Sequence, residues 1–356
     1  MSRLSDLRAA AESAVVCLGV DATDTVLVLC NERERAIADV LLAAAESHAG
    51  SARLLEYPTL RRNGEEPSDD VAQAMSDASV VFATTTYSIS HTRARLAATA
   101  AGTRIASMRG FTEAFAQAML VDYELLRDRG MQLAAALTAA ESCRITSAAG
   151  TDITLSIKGR SATADHGNLR EPGAFGNLPA GEAYIAPLET SGDGTIVFDG
   201  GLADYGLLHA PLRVRLEAGR AVDADGEAAD WLLSTLGAGG EHGRSIAEIG
   251  IGTNPGAELC GLVAIDEKVL GTAHLAFGTS ASFGGVNQAS VHIDGMLRTP
   301  TIELDGARLL DEGKLETLAL AEHHGLPLTS STATERTSST SGPTCRRSER
   351  KRETLG

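Results

Sequence analysis

Four short apolar runs alternate with helix-forming stretches in the first third of the chain, and this alternation constrains the fold more than any other feature. The runs occupy residues 25–30, 52–58, 79–86 and 103–108, and the stretches between them, 32–50, 67–78 and 91–102, carry apolar residues at helical spacing. Strands that alternate with helices of this length pair in parallel through right-handed crossovers. Residues 1–142 are therefore predicted to form a doubly wound α/β domain with a parallel sheet.

Two local features of this domain bear on function. Asn31 is predicted to cap the first helix after the first strand, and no G-x-G-x-x-G motif opens that helix, which argues against a dinucleotide site. The polar run 84–92 follows the third strand, at the sheet edge where α/β proteins bind ligands. Tyr87 or His91 would reach a cleft there, whereas the alternative is that 88–92 only cap the next helix.

The second half of the chain is rich in strands and turns. Hairpins are predicted around Gly150 and Thr151, at 193–194 and within 212–226, with one helix at 228–239. Residues 112–140 are helical in composition and connect the two halves. Residues 143–328 are therefore predicted to form an α+β, mainly antiparallel domain.

The end of the chain and its overall composition exclude several classes of protein. Residues 329–356 are rich in Ser and Thr and then basic, without an apolar period, which predicts a disordered tail. A net charge of -16 argues against nucleic acid as a partner, and no run is apolar enough to span a membrane. The N-terminus does not resemble a signal peptide. Reduced, cytoplasmic thiols are expected for the five cysteines: Cys17, Cys30, Cys143, Cys260 and Cys345.

The candidate functional residues concentrate in 246–306. His292 and Asp294 are two residues apart in the run SVHID, so a strand would direct both side chains to one face. Imidazole and carboxylate on one face, with His274 upstream, are ligands for zinc, manganese or ferrous iron. The alternative is a buried His–Asp pair at a sheet edge. The acidic residues Glu248, Asp266 and Glu267 favour the metal site.

Four motifs in this half resemble the aminopeptidase T family of metallopeptidases. They are NLPAGE, EIGIGTNP, DEKVLGTAHLAFG and NQASVHIDGML, in the family's order between residues 177 and 297. The resemblance implies a metal-dependent hydrolase that cleaves an amide or N-terminal peptide bond with a metal-activated water, acts on a small molecule or short peptide, and forms a homodimer. It implies two divalent ions, Zn, Mn or Co, held by five residues of this chain: Glu182, Glu248, His274, His292 and Asp294.

The same resemblance implies catalytic roles and contains one departure. Glu182 or Glu248 would serve as the general base if it is not fully engaged as a ligand. The family has a tyrosine ligand seven residues after the first histidine, where this chain has Ala281. The missing phenol removes one ligand and one group that would polarise a peptide carbonyl.

The chain also resembles, more distantly, the 2,5-dihydroxypyridine 5,6-dioxygenases. In that reading His274, His292 and Asp294 would hold one Fe(II) ion, and the absent tyrosine would be no loss. Glu182 and Glu248 would then have no evident function beside a single ion, which makes the hydrolase the first hypothesis. A relative that binds ligand without turnover is the third.

Overall fold

A computed structural model of the chain describes residues 3–90, 92–109 and 113–316. A five-stranded parallel sheet organises the N-terminal part, in the order β2 (Ser51–Glu56), β1 (Thr25–Cys30), β3 (Val80–Thr84), β4 (Arg104–Ser107) and β8 (Phe175–Asn177). The accompanying helices are α1 (Arg3–Leu18), a 3-10 turn (Glu32–Glu34), α2 (Arg35–Glu46), α3 (Asp69–Ser76), α4 (Arg93–Ala100), α5 (Glu113–Met119) and α6 (Tyr123–Ala139).

Both faces of this sheet are covered by helices, because its central strands are apolar on both sides. Val28 and Phe82 pack on one face with α1, α2 and α5, while Leu27 and Val81 pack on the other with α3 and α4. The predicted doubly wound α/β layer is confirmed. Strand β8 was not predicted, since three residues in a loop rich in Gly and Pro carry no strand pattern.

Two antiparallel sheets form the rest of the described chain. The eight-stranded sheet contains β5 (Ser142–Thr146), β6 (Asp152–Ser156), β10 (Gly194–Phe198), β13 (Leu212–Glu217), β14 (Arg220–Asp225), β18 (Thr301–Leu304), β19 (Ala307–Asp311) and β20 (Lys314–Leu315). The seven-stranded sheet contains β7 (Thr163–Asp165), β9 (Glu182–Ile185), β11 (Gly201–Leu202), β12 (Gly206–Leu207), β15 (Ile246–Gly252), β16 (Ala273–Gly278) and β17 (His292–Leu297). Two helices accompany them, α7 (Ala229–Ala238) and α8 (Val263–Asp266).

The seven-stranded sheet is the one that positions the candidate site. Its apolar alternate residues, among them Ile249, Leu275 and Ile293, belong to one core with Ile145 and Phe198 of the eight-stranded sheet. Because successive side chains of a strand point to opposite faces, the polar residues between them lie on the other face. Strands β9, β15, β16 and β17 are neighbours there and carry the predicted ligands.

Two local predictions were wrong. The turn at 193–194 does not close a hairpin, because β9 and β10 belong to different sheets and β10 pairs with β6 and β13 instead. The side chain of Asn31 makes no cap hydrogen bond; it bonds the carbonyl of Tyr57 and the amide of Thr86 and so joins the ends of neighbouring strands. Turn and cap residues have the same local chemistry in either role, so the sequence alone does not separate them.

Several predictions stay predictions. The tail 329–356 and His91 lie outside the described residues. The domain limits at 142 and 328 are untested, and β8 joins the parallel sheet from beyond the first of them. None of the helices within the described ranges is long and apolar enough to cross a membrane.

Candidate metal centre

Two groups of three ligand side chains lie side by side on the polar face of the seven-stranded sheet. The inner group consists of Glu182, Glu267 and His274, and the outer group of Glu248, His292 and Asp294; within each group the candidate ligand atoms lie within 4.8 Å of one another. All five residues predicted from the sequence are thus brought together. Whether they bind a metal stays a prediction.

Strand register explains this convergence. Gly250 of β15 is opposite Tyr184 of β9 on one side and His274 of β16 on the other. A Cβ atom at Gly250 would collide with the imidazole of His274, so the glycine lets that ring lie across β15 towards Glu182. The His274 Nε2 atom is 3.3 Å from Glu182 Oε2 and 3.2 Å from Glu248 Oε1.

The outer group is arranged around His292. Its Nε2 atom lies 3.4 Å from Asp294 Oδ1 and 3.5 Å from Glu248 Oε2. Its Nδ1 atom lies 2.8 Å from the carbonyl oxygen of Thr279 and must donate there, because a carbonyl only accepts. This bond keeps a proton on Nδ1, so Nε2 is the atom that would give up its proton to bind a metal ion, as in most histidines that bind metals.

A buried lysine occupies the inner group. Lys268 is fully buried, and its Nζ atom lies 2.5 Å from Glu182 Oε1, 2.8 Å from Glu267 Oε1 and 3.2 Å from Asp165 Oδ2. Burial alone would lower the pKa of Lys268, but the three carboxylates outweigh it and hold the pKa well above its usual value. The lysine therefore stays an ammonium ion and neutralises part of the inner group.

The carboxyl groups respond differently to these surroundings. Burial raises the pKa of Glu267 to about 8 and that of Asp165 to about 6, although Lys268 opposes both shifts. Burial also disfavours the ionised form of Asp294, but the charge of His292 prevails and lowers its pKa to about 2. The outer group therefore keeps an ionised carboxylate at neutral pH.

The histidines are held in their charged form by the same carboxylates. Burial lowers the pKa of His292, but Asp294 and then Glu248 more than offset this and raise it to about 10. For His274, burial is likewise outweighed, here by Glu182 and Glu248, and its pKa is raised well above the usual value. Protons on these nitrogens supply the positive charge that the carboxylates require.

Two buried carboxylate oxygens, one in each group, could bind a cation. Among the described residues, the buried Asp294 Oδ1 and Glu182 Oε2 make no hydrogen bond of good geometry and lie 3.4 and 3.3 Å from the nearest imidazole nitrogens. Leaving such atoms unpaired costs about 1–3 kcal/mol or more when they are charged. Ligands about 2.1 Å from one ion are about 3 Å apart when they are at right angles. The separations of 3.2–3.5 Å around His292 and Glu248 therefore suit a single ion after slight contraction.

The aromatic side chains Tyr184 and Phe283 border the outer group. Their ring centroids are 5.6 Å apart in an edge-to-face arrangement, and Phe283 meets the ring of His292 in the same way at 5.8 Å. Burial, followed by the charges of Glu182 and Glu248, raises the pKa of Tyr184, so its phenol stays protonated. Ala281, where the resemblance expects a tyrosine, is exposed.

Sequence reasoning missed Lys268 and Asp165 and did not include Glu267 among the ligands. A signal was present for two of them, since Glu267 and Lys268 are adjacent in the DEKVLGTAH motif. Asp266 has a structural role instead: its carboxylate accepts from the backbone amides of Cys260 and Gly261. Tyr87 follows β3, where its carbonyl accepts from the Thr85 hydroxyl, and its predicted approach to the site stays a prediction.

Comparisons with known proteins agree with both predicted resemblances. Aminopeptidase T of Thermus aquaticus is 29% identical over 187 residues, which are 46% of this chain and 44% of that protein. The alignment thus spans less than half the length of that relative. The structure of 2,5-dihydroxypyridine dioxygenase from Pseudomonas putida KT2440 superposes with a TM-score of 0.74 at 21% identity, covering 89% of this chain and 98% of that one.

AmpT from Thermus thermophilus superposes with a TM-score of 0.66 at 18% identity, covering 88% of this chain and 100% of that one. At these identities the two structures show a shared fold. A family model described as NicX, 2,5-dihydroxypyridine 5,6-dioxygenase, matches residues 6–317, which is most of the chain. The chain therefore belongs to the NicX family of 2,5-dihydroxypyridine 5,6-dioxygenases.

Proposed function

We propose that this chain is a one-metal oxygenase that opens an electron-rich, dihydroxylated aromatic ring, with the ion held by the outer group. The observation that carries the proposal is the position of Lys268. Its ammonium group contacts Glu182 and Glu267, the two carboxylates of the inner group, at 2.5 and 2.8 Å. A fixed cation would therefore compete with a second metal ion for these two carboxyl groups.

Repulsion between Lys268 and a second ion favours one ion over two. An ammonium group and a divalent ion about 4 Å apart repel each other by about 8 kcal/mol at an effective dielectric constant of about 20. Lys268 does not escape this by losing its proton, because three carboxylates hold its pKa well above the usual value. The inner group therefore disfavours a divalent ion.

Glu182 also has a function beside a single ion. Its Oε1 atom pairs with Lys268 and its Oε2 atom faces the imidazole of His274. Glu182 would thus orient His274 and neutralise Lys268 without binding metal. The lack of a function for Glu182 beside a single ion is therefore no longer a reason to prefer two ions.

The outer group fits a single ion by its donor set. His292 and Asp294 would bind the ion directly, and His274 of the inner group, whose Nε2 atom lies 3.2 Å from Oε1 of Glu248, would complete the donor set. Two imidazoles with a carboxylate are the set that non-haem iron oxygenases use. Bound ferrous iron would supply the redox and Lewis-acid chemistry by which O₂ reacts with such a ring.

The protein's own contribution would be to orient the ligand side chains and to exclude water from the site. Thr279 holds His292 in the tautomer that presents Nε2, and Glu248 lies between the two imidazoles. His274 is fully buried and Asp294 is nearly buried, so water has little access to this side of the site. Family membership over residues 6–317 and the exposed position of Ala281 support the oxygenase further.

A two-ion hydrolase is the second candidate, and a specific observation favours it. The inner and outer groups are adjacent, and each offers three ligand atoms, which is the arrangement that two cocatalytic ions require. Glu182 or Glu248 would then act as the general base for an amide substrate. The similarity to aminopeptidase T over 187 residues supports this reading.

Oxygen consumption separates the two candidates. Protein reconstituted under argon with Fe(II) is mixed with air-saturated 2,5-dihydroxypyridine in an oxygen electrode, and protein loaded with Zn or Mn is mixed with leucine p-nitroanilide. The proposal expects one O₂ consumed per ring opened and no release of nitroaniline. Release of nitroaniline without oxygen uptake would overturn the oxygenase and favour the hydrolase.

A further inference from the structure

The open side of the candidate metal centre lies beside His292. The side chain of His292 is 28% exposed, whereas those of Glu248 and Asp294 are 9% and 8% exposed and that of His274 is fully buried. His292 is therefore the most accessible of these four side chains. The aromatic ring of Phe283 stands against this histidine, edge to face at 5.8 Å.

Tyr184 is a neighbour of Phe283 and belongs to β9, one of the ligand-bearing strands. It is two residues after Glu182 in β9, so both side chains belong to the same face of the sheet. The residue opposite Tyr184 is Gly250, which has no side chain to separate the phenol from the space above His274. The ring of Tyr184 packs edge to face against Phe283 at 5.6 Å.

The loop that carries Phe283 is fixed at its tip. The Arg160 guanidinium donates to the carbonyl of Gly284, and the Glu189 carboxylate accepts from the backbone amide of Val286 at 2.7 Å. Arg160 and Glu189 also pair with each other at 2.6 Å, at sites that are only 13% and 15% exposed. A largely buried ion pair that also binds backbone holds this loop, and with it the aromatic wall, in one position.

The polar face itself offers a substrate mostly acceptors. Its two imidazoles would bind the ion, the other groups are carboxyl groups, and the ammonium of Lys268 already contacts three of these. A substrate whose hydroxyl or carbonyl oxygens face this surface needs a neutral donor. A tyrosine hydroxyl supplies one, and tyrosine hydroxyls that are partly buried usually take a hydrogen-bond partner.

We propose that Tyr184 is a substrate-binding residue whose hydroxyl donates a hydrogen bond to an oxygen atom of the substrate at the outer group, with Phe283 holding its ring in place. The proposal rests on the proposed function to the extent that the outer group is where substrate binds. It does not depend on which reaction follows. Tyr184 would supply the neutral donor that the exposed Ala281 does not provide.

The test is binding without turnover. Fe(II)-loaded protein is titrated under argon with 2,5-dihydroxypyridine, and Co(II)-loaded protein with leucine hydroxamate, by calorimetry and visible absorption. Tyr184→Phe keeps the ring against Phe283 and removes only the hydroxyl. It is expected to raise the Kd of the probe that wild type binds by about tenfold, the usual upper value for a neutral hydrogen bond. Metal content and melting temperature should stay at wild-type values.

A matched control makes the same chemical change elsewhere. Tyr57→Phe removes a hydroxyl from a tyrosine buried in the N-terminal layer against β1 and β3. It is expected to leave both Kd values unchanged. A second variant, Phe283→Leu, removes the ring that holds Tyr184 and should weaken binding in wild type more than in Tyr184→Phe, because the two changes act on one contact.

The outcomes separate this inference from the proposed function. If wild type binds 2,5-dihydroxypyridine and Tyr184→Phe binds it equally well, Tyr184 has no binding role while the oxygenase stands. If wild type binds only the hydroxamate, the proposed oxygenase function is rejected. The role of Tyr184 is then tested by the ratio of the Kd of Tyr184→Phe to that of wild type for the hydroxamate. Wild-type protein that binds neither probe would overturn the assignment of Tyr184.

Discussion

The inner and outer ligand groups look alike as collections of residues, yet they differ in what balances their charge. The carboxylates of the inner group face a permanent ammonium, that of Lys268, which is completely buried. Those of the outer group contact the imidazoles of His274 and His292. A metal ion readily displaces protons from imidazole, whereas a buried ammonium on a covalent side chain stays in place. This difference is the basis of the proposal that the outer group binds the ion and the inner group supports it.

The largest effect is expected from removing an outer ligand. His292→Ala or Asp294→Ala should lower metal affinity by more than about a hundredfold, the upper value for losing residues that merely support a ligand, and should abolish activity. Metal titration by calorimetry gives the affinity. His209→Ala, at an exposed histidine, is the matched control and should bind metal normally. Full metal affinity in either outer variant would place the ion elsewhere.

Removing the ammonium should destabilise the fold and change the inner group. Lys268→Met leaves the buried carboxyl groups of Glu182, Glu267 and Asp165 without their cation, which is expected to cost about 3–5 kcal/mol in free energy of unfolding, measured with urea. Millimolar Mn²⁺ should restore part of this loss by entering the vacated position. Lys158→Met, at an exposed lysine paired with Glu141, should change stability by less than about 1 kcal/mol. A Lys268→Met protein as stable as wild type would show that the ammonium does not balance the inner group.

Metal binding should depend on pH through the outer group. His292 has its pKa raised to about 10 against about 6.5 for an unfolded histidine, so without metal its charged form contributes stability that is complete below pH 6.5 and is lost as pH rises through about 10. A metal ion needs the neutral imidazole, so its affinity should increase by up to about tenfold per pH unit between 6.5 and 10. Calorimetry at pH 8 in buffers of different ionisation enthalpy should register a proton released by His292. Binding without proton release would contradict this assignment.

The smallest effect is expected at Glu182. Glu182→Gln keeps the shape of the side chain, and in a one-ion site it should leave metal content unchanged and lower the rate by less than about tenfold. A two-ion hydrolase that uses this carboxylate would lose about a hundredfold or more and part of its metal. Rate and metal content, measured on the same preparation, decide between these outcomes.

The fold was predicted from the pattern of apolar residues, and the ligand set was predicted from resemblance to known motifs. The parallel sheet was predictable because β1 and β3 are continuous apolar runs separated by amphipathic helices. The convergence of Glu182, Glu248 and His292 was predicted by motif resemblance, since residues over a hundred positions apart meet only through strand order.

Other features were beyond the reach of local patterns. A lysine next to acidic residues is usually a solvated charge, so the sequence did not indicate that Lys268 is buried or that it faces Asp165 across the sheet. The pairing partners of β10 were also predicted wrongly. A turn that connects two different sheets has the same kinds of residues as a hairpin turn, so the sequence does not distinguish them.

The most direct test of the one-ion centre is the number of metal ions per chain. Protein purified under argon without chelator, then equilibrated with excess Fe(II) or Mn(II) and desalted, is analysed by inductively coupled plasma mass spectrometry against amino-acid analysis. Because Lys268 occupies the inner group, we expect one ion per chain at saturation. Two tightly bound ions per chain in the wild-type protein would contradict the account and favour the two-ion hydrolase.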